Sequence, residues 1–282
     1  MSMWAGFWQS PEVHGALALG AVVAAVSGVI GVFVVLRGQS FAGHALADIG
    51  GAGAAGAFLA GVNSLWGFLL FGLLGAVGVE LLGRRARERD LATGIVLALA
   101  LGVEALLLYF DTRLAGGAQA PMLVLFGSVF VVAPSTVRVV AVLSLVTAAV
   151  TGALYRPLLL CSIEPELAVT RGIPVTLVSL VFILLLAVVV EEGSLVVGAL
   201  LSTGLLIGPA AAAVRLTAKT GWAMFWAALL GVAAVWAGVF LAYGSYRWPP
   251  GGHGWPVSFF TAALILVFYL AARLGTGSRQ GA

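Results

Sequence analysis

Residues 40–51 read Ser40-Phe41-Ala42-Gly43-His44-Ala45-Leu46-Ala47-Asp48-Ile49-Gly50-Gly51 and open a long apolar, glycine-rich segment. On a helix, the spacing of four residues puts His44 and Asp48 on one face, one turn apart. Imidazole and carboxylate groups are both ligands of divalent transition metals. Because an ionisable pair is costly inside a bilayer, we interpret the pair as a metal site. The alternative is a polar pair that hydrogen-bonds neighbouring helices.

The composition excludes a water-soluble globule. Of the 282 residues, 62% are hydrophobic and 9% are charged, and the mean hydropathy is +1.13, whereas a soluble domain carries roughly 25% charged residues. Long apolar runs favour helices over a closed barrel in lipid. The predicted fold class is therefore all-α, a polytopic transmembrane helical bundle in the cell (plasma or inner) membrane. The net charge of +3 is interpreted as a topology signal and not as a nucleic-acid footprint.

Apolar runs long enough to cross a bilayer, roughly 17–25 residues, predict about eight or nine spans within one transmembrane domain, residues 1–282. They cover about 13–36, 44–61, 65–82, 91–110, 137–154, 175–190, 194–214, 222–243 and 255–273. A shorter run, 122–132, is predicted to be re-entrant because it is too short to span. In the second run, Gly53, Ala57 and Gly61 form a small-residue stripe suited to close helix contact.

Basic residues set the predicted orientation. If the cluster at 84–89 is cytoplasmic and the spans alternate, only Arg113, Arg138 and Arg247 of the 14 basic residues lie outside. The N-terminus is then external and the C-terminus internal.

Further ionisable residues are candidates for a transport pathway. Glu104 lies midway along the fourth run and should face the bundle or a cavity, or else be a neutral group bonded to a backbone carbonyl. Four more are expected near the outer face, where they either receive metal from a delivery protein or form solvated loop ends: His14, Glu191, Glu192 and His253.

The segment at about 161–174 predicts a short cytoplasmic helix between two spans. Pro165 suits a first helical turn after Glu164 as an acidic cap. Gly172 followed by Pro174 is a stop signal, so the helix covers about Pro165–Arg171. Its exposed side chains could dock on a soluble partner, and the alternative is an ordinary capped loop.

Several motifs occur in a fixed order along the chain. They are Val35-Leu36-Arg37 before Ser40, the glycine-rich second run, Leu125-Phe126-Gly127-Ser128, Tyr155-Arg156-Pro157-Leu158-Leu159-Leu160, Glu164-Pro165-Glu166-Leu167-Ala168 with Arg171-Gly172-Ile173-Pro174, and Gly204-Leu205-Leu206-Ile207-Gly208-Pro209-Ala210-Ala211. With this order and spacing, the chain resembles the membrane subunits of zinc/manganese ABC importers from about residue 31 to residue 273.

The resemblance implies a permease that imports zinc, manganese or ferrous iron and holds no permanent cofactor. It implies a homodimer served by cytoplasmic ABC ATPase subunits and an extracellular metal-binding protein. It also implies a coupling helix that fits into the ATPase, formed by Glu164, Pro165, Glu166, Leu167, Arg171 and Gly172. In that family the aspartate usually precedes the histidine by four residues, whereas here His44 precedes Asp48.

Three other functions are weighed against this interpretation. They are an ABC permease for an iron chelate or another small solute, a stand-alone metal secondary transporter, and an intramembrane metalloenzyme. The sequence has no His-Glu-x-x-His motif and nothing that resembles a P-loop, so neither metalloprotease chemistry nor ATP hydrolysis is expected of this chain. An ion-driven carrier would have no need of a coupling helix.

Overall fold

The structure is a computed structural model that describes residues 7–82, 86–114, 119–127, 129–248 and 254–277, and the regular structure of these residues is α-helical. The helices are α1 (Pro11–Arg37), α2 (Ser40–Leu59), α3 (Ser64–Leu82), α4 (Ala86–Leu114), α5 (Gln119–Phe126), α6 (Pro134–Ala153), α7 (Tyr155–Ile163), α8 (Pro165–Thr170), α9 (Val175–Val197), α10 (Ala199–Leu216), α11 (Thr220–Ser245) and α12 (Val257–Gly277).

Eight of these helices are long and apolar enough to cross a membrane: α1, α3, α4, α6, α9, α10, α11 and α12. Helix α2 has 20 residues, about 30 Å at 1.5 Å per residue. Its glycines, His44 and Asp48 lower its mean hydropathy, which is why it falls outside that set. The predicted fold class, an all-α polytopic transmembrane bundle, is confirmed.

Helix α2 is packed against α3, α4, α9 and α10, and its residues 45–55 are all buried. Gly53 meets Gly67 of α3 backbone to backbone, so that a Cβ on either glycine would overlap the carbonyl oxygen of the other. Ala57 joins this contact, whereas Gly61 lies beyond the helix end at φ 70°. Two positions of the predicted small-residue stripe thus form the α2–α3 contact.

Helix α1 uses glycines in the same way. Gly28 lies against the backbone of Ala227 in α11, and a Cβ at Gly31 would overlap the carbonyl oxygen of Leu206 in α10. Such contacts matter in lipid because burying apolar surface between helices gains little there, and close van der Waals packing holds them together instead. Helix α10 is thereby fixed between α1 and α2.

The short apolar run at 122–132 forms no spanning helix. Its helical part, α5, has 8 residues, about 12 Å, and the described residues between it and α6, Gly127 and residues 129–133, are not helical. Gly127 (φ 68°) packs on the backbone where α9 gives way to α10, and a Cβ there would lie 2.8 Å from the carbonyl oxygen of Val196. At Gly127 this irregular backbone is covered by the α9–α10 junction, as lipid requires of non-helical backbone, whereas Val131 is 70% exposed. The re-entrant path itself stays a prediction.

One predicted helix end was wrong. Helix α9 does not stop at Val190 but continues to Val197. The sequence predicts an end at Glu191 and Glu192 because ionised groups are expensive in a bilayer. Both side chains are instead fully buried inside the bundle.

We expect Gly53→Ala to lower the midpoint of thermal unfolding of the detergent-purified protein. Its methyl group would be forced against Gly67, and overpacking costs about 1–3 kcal/mol. Gly56→Ala on the same helix is the matched control, because its Cβ would lie 3.5 Å from Cδ1 of Leu107, an ordinary contact. Replacing glycine by alanine there favours the helix by up to ~1 kcal/mol. Equal midpoints for the two variants would contradict the backbone contact.

Candidate metal-transit site

His44 and Asp48 lie on one face near the start of α2, as their spacing predicts. Nε2 of His44 is 3.6 Å from Oδ2 of Asp48, and the side chains are 44% and 3% exposed respectively. On its other side the His44 ring faces α10, where Nδ1 lies 3.3 Å from Oγ1 of Thr203. Sequence reasoning missed Thr203, since nothing nearby in the chain distinguishes it from other hydroxyl residues of apolar helices.

The pair can present two ligands to one cation. An ion at ~2.1–2.2 Å from both atoms, an ordinary metal–ligand distance, would subtend roughly 110–120° across the 3.6 Å gap. Because Nδ1 of His44 is engaged by a hydroxyl group, Nε2 is the nitrogen available to a metal. Among the residues that the structure describes, no group of three or more His, Cys, Asp or Glu side chains is placed to hold a metal ion. Within the described part of one chain, the pair therefore offers two ligand atoms to a cation.

Glu104 reaches α2 from α4. Its side chain is 3% exposed, and its Oε1 has no hydrogen-bond partner. A Cβ added at Gly51 would lie 2.8 Å from Oε1, so the carboxyl group rests on the α2 backbone. Asp48 acts on Glu104 electrostatically. Glu104 thus faces the bundle, as expected of a carboxyl group at that depth, and its part in a pathway stays a prediction.

Glu191 reaches the same stretch of α2 from α9. It is 0% exposed, and neither carboxylate oxygen has a hydrogen-bond partner. Its carboxyl group fills the space left by Gly50 of α2 and Gly72 of α3, and a Cβ at either glycine would overlap it. Both Asp48 and Glu104 act on it electrostatically. Acidic side chains from α2, α4 and α9 therefore converge on residues 48–51.

Glu192, the next residue along α9, faces a different helix. Its Oε2 accepts a hydrogen bond of 2.7 Å from Oγ of Ser144 in α6. The expectation of a solvent-facing position for Glu191 and Glu192 was wrong, because both are sealed inside the bundle. The run Gly50-Gly51 beside Asp48 was the sequence signal for this, since bare backbone admits a neighbouring side chain. His14 is exposed, and His253 lies outside the described residues.

Helix α8 follows Glu164 and closes as the sequence predicts. Gly172 adopts φ 74°. Its N–H donates to the carbonyl of Val169 at 2.9 Å, and the N–H of Ile173 donates to that of Ala168 at 3.0 Å, the bond pair of a Schellman motif. Glu164 occupies the N-cap position, but its side chain makes no capping hydrogen bond.

An apolar cleft of about 590 Å³ lies between α7 and α8. Leu160 and Leu167 line it together with the charged groups of Arg156 and Arg171. Beside it, Val169 is 63% exposed. Exposed apolar and charged side chains are therefore adjacent at this end of the molecule.

Arg37 connects this end of the molecule to α2. Its Nε donates to Oγ of Ser162 in α7 at 2.9 Å. Its guanidinium carbon lies 4.4 Å from the ring centre of Phe182 in α9, a cation–π contact. Helix α2 begins at Ser40, three residues later. A short, tightly held connection therefore joins the α7–α8 region to the helix of His44.

The described helices form a polytopic transmembrane bundle in which His44 and Asp48 lie together on α2 and a short helix, α8, lies between two long ones. The model of the ABC 3 transport family matches residues 9–271, and the chain belongs to this family. It is accordingly a transport permease and not an enzyme.

Its relatives include manganese transport proteins. The chain is 29% identical over 239 residues to the manganese transport system membrane protein MntC of Listeria monocytogenes, with 84% of each chain covered. It is 30% identical over 240 residues to the manganese import system permease protein ScaB of Streptococcus pneumoniae, again with 84% of each covered. Among solved structures, PsaBC from Streptococcus pneumoniae in complex with Fab matches with a TM-score of 0.81 and 24% identity, covering 96% of this chain and 94% of that one.

These findings confirm the resemblance seen in the sequence. The chain is a membrane subunit of the metal-ion ABC transporter type and a multi-pass protein of the cell membrane.

We expect Thr203→Val to weaken metal uptake without preventing insertion, because His44 loses the hydroxyl group that orients its ring. Loss of such a bond behind a metal-ligating imidazole costs about 10–100-fold in metal affinity or activity. The measurement is the apparent affinity of uptake at matched membrane expression. Thr203→Ser keeps the hydroxyl and should retain uptake. Equal affinities for the valine and serine variants would refute the orienting role.

Proposed function

We propose that this chain is the membrane subunit of an ABC importer for a divalent transition metal, with manganese as its substrate, and that His44 and Asp48 bind the ion in transit. One observation carries the proposal: a buried carboxylate stands 3.6 Å from an imidazole on one face of a central helix, in a chain of the ABC 3 transport family. In a bilayer, such a pair marks the path of an ion by default.

Two considerations favour manganese over zinc. The relatives named above are manganese transport proteins. Carboxylate-rich surroundings, with Glu104 and Glu191 close to Asp48, suit a hard cation such as Mn²⁺, whereas Zn²⁺ prefers nitrogen and sulfur ligands. Because His44 precedes Asp48, the imidazole and the carboxylate exchange their depths in the membrane relative to the usual order of aspartate before histidine. Both ligand types are kept. Ferrous iron has similar ligand preferences, and the measurement of total cellular metals separates iron from manganese as the substrate.

A second copy of the chain completes the site. One chain supplies two ligands, and the His44 side chain is 44% exposed. A two-fold axis beside His44 would bring two imidazoles and two carboxylates together, which are four protein ligands for one cation. A homodimer is therefore the form proposed to transport metal.

The energy for transport is supplied by a separate cytoplasmic ATPase subunit, since this chain has no P-loop. Helix α8 and the cleft beside it are the proposed docking surface, with coupling residues Glu164, Pro165, Glu166, Leu167, Arg171 and Gly172. The contacts of Arg37 with α7 and α9 would carry movement of that region to the start of α2. An extracellular metal-binding protein delivers the ion.

We expect deletion of this protein to lower cellular manganese under manganese limitation, and the wild-type gene to restore it. His44→Ala and Asp48→Ala should each abolish the restoration, because each removes half of the ligands in one chain. Total manganese, zinc and iron are measured by mass spectrometry at matched membrane expression.

Ser135→Ala is the control, an exposed polar residue at the start of α6, and it should restore uptake fully. Restored zinc or iron with unchanged manganese would reassign the substrate. If no metal changes, the chain is a permease for an iron chelate or another solute, and His44 and Asp48 serve helix packing.

The docking surface makes a separate prediction. Val169→Asp should abolish co-purification of the ATPase subunit and ATP-driven uptake, because it puts a charge on the exposed apolar part of α8. Ala218→Asp adds the same charge at an exposed position between α10 and α11 and should leave the complex intact. An intact complex in both variants would favour a stand-alone carrier, which has no need of this surface.

A further inference from the structure

We propose that Glu104 and Glu191 form a second cation site inside each protomer, distinct from the His44–Asp48 pair, and that it takes a divalent cation that prefers oxygen ligands, such as Mn²⁺. This inference rests on the proposed function and adds a binding step to the path of the same ion.

The first support is the burial of carboxylate oxygens that have no partner. Glu191 is 0% exposed and both of its oxygens lack a hydrogen bond, and Glu104 is 3% exposed with Oε1 unpartnered. Leaving a buried polar atom without a hydrogen bond is destabilising, and more so for a charged group. Glu192, by contrast, is held by Ser144. The lack of a hydrogen-bond partner at Glu191 is therefore not shared by the neighbouring acidic residue of α9.

The second support is the balance of charge. The ionisable groups that act on Glu191 are Asp48 and Glu104, both acidic, and the group that acts on Glu104 is Asp48. Within the described part of the chain, the basic group near this cluster is His44, which acts on Asp48. A divalent cation would compensate the charge of two carboxylates, and buried charges persist when they are paired or coordinate a metal.

The third support is the shape of the surroundings. The carboxyl groups lie on Gly50, Gly51 and Gly72, where bare backbone leaves no side chain between the acids and α2. Gly50 and Gly51 follow Asp48 by two and three residues, about 3–4.5 Å along the helix axis. In the predicted orientation they lie on the outer side of Asp48, so an imported ion would reach Glu104 and Glu191 first.

The oxygen-only donor set defines the chemical class of the ligand. Two carboxylates offer four oxygens and no nitrogen or sulfur, which suits Mn²⁺, Mg²⁺ or Ca²⁺ better than Zn²⁺. Since His44 contributes nitrogen only to the inner pair, the two sites would differ in ligand type along one path.

The test measures Mn²⁺ binding to the purified full-length protein by electron paramagnetic resonance, in which bound ion loses the sharp six-line signal. We expect the His44→Ala/Asp48→Ala variant to retain Mn²⁺ binding. Adding Glu104→Gln and Glu191→Gln to that variant should remove it, because the amides carry no charge. Binding that is already lost in the first variant would overturn the proposal.

The matched control is Glu192→Gln on the same background, since Glu192 is as deeply buried on the same helix and faces α6. It should leave Mn²⁺ binding unchanged. An equal loss of binding from Glu192→Gln and Glu191→Gln would refute a local site. Gel filtration and thermal unfolding confirm that each variant is folded. If the quadruple variant is not folded, Glu104→Gln alone on the same background should raise the dissociation constant about tenfold or more, and an unchanged constant would overturn the proposal.

The two proposals fail in different ways. The proposed function fails if the wild-type gene restores no manganese in cells. The second cation site fails if manganese uptake is restored but Mn²⁺ binding in vitro is indifferent to Glu104 and Glu191.

Discussion

The packing of the bundle depends on the burial of carboxyl groups away from water. Asp48 is 3% exposed beside His44, and the carboxyl groups of Glu191 and Glu104 contact Gly50 and Gly51 of the same helix. Removing an ionised group from water costs several kcal/mol unless partners compensate it. A globular protein avoids such an arrangement, and a metal permease can use it, because the passing cation is itself the compensating charge. The features that look unfavourable for stability are thus the ones that a cation pathway needs.

Glycine makes the arrangement sterically possible and does so twice on α2. At Gly53 it lets α3 approach backbone to backbone, and at Gly50 it admits the carboxyl group of Glu191. The two contacts lie on adjoining turns, so one glycine-rich stretch supplies both the packing and the site. The same composition lowers the hydropathy of α2, and hydropathy alone therefore passes over the helix that carries His44 and Asp48.

The sequence predicts the structural features that depend on residues close together in the chain. Run lengths locate the spans, Pro165 with Gly172 and Pro174 locates α8, and the spacing of His44 and Asp48 puts both on one face. Contacts between distant segments were not predictable in this way. Nothing local to Thr203 indicates that it meets His44. The sequence predicts a helix end at Glu191, whereas the glycines that accommodate its side chain, Gly50 and Gly72, lie on other helices and only the fold brings them to it.

The contact between Gly53 and Gly67 also bears on how the molecule can move. Two helices that slide past each other need a layer of side chains whose rotamers adjust at the interface. Helices α2 and α3 have no such layer at their crossing, because the two backbones touch. They should therefore travel as a single rigid body. Any tilt of α2 that moves His44 then also moves Gly72 of α3. The space around Glu191 changes with it.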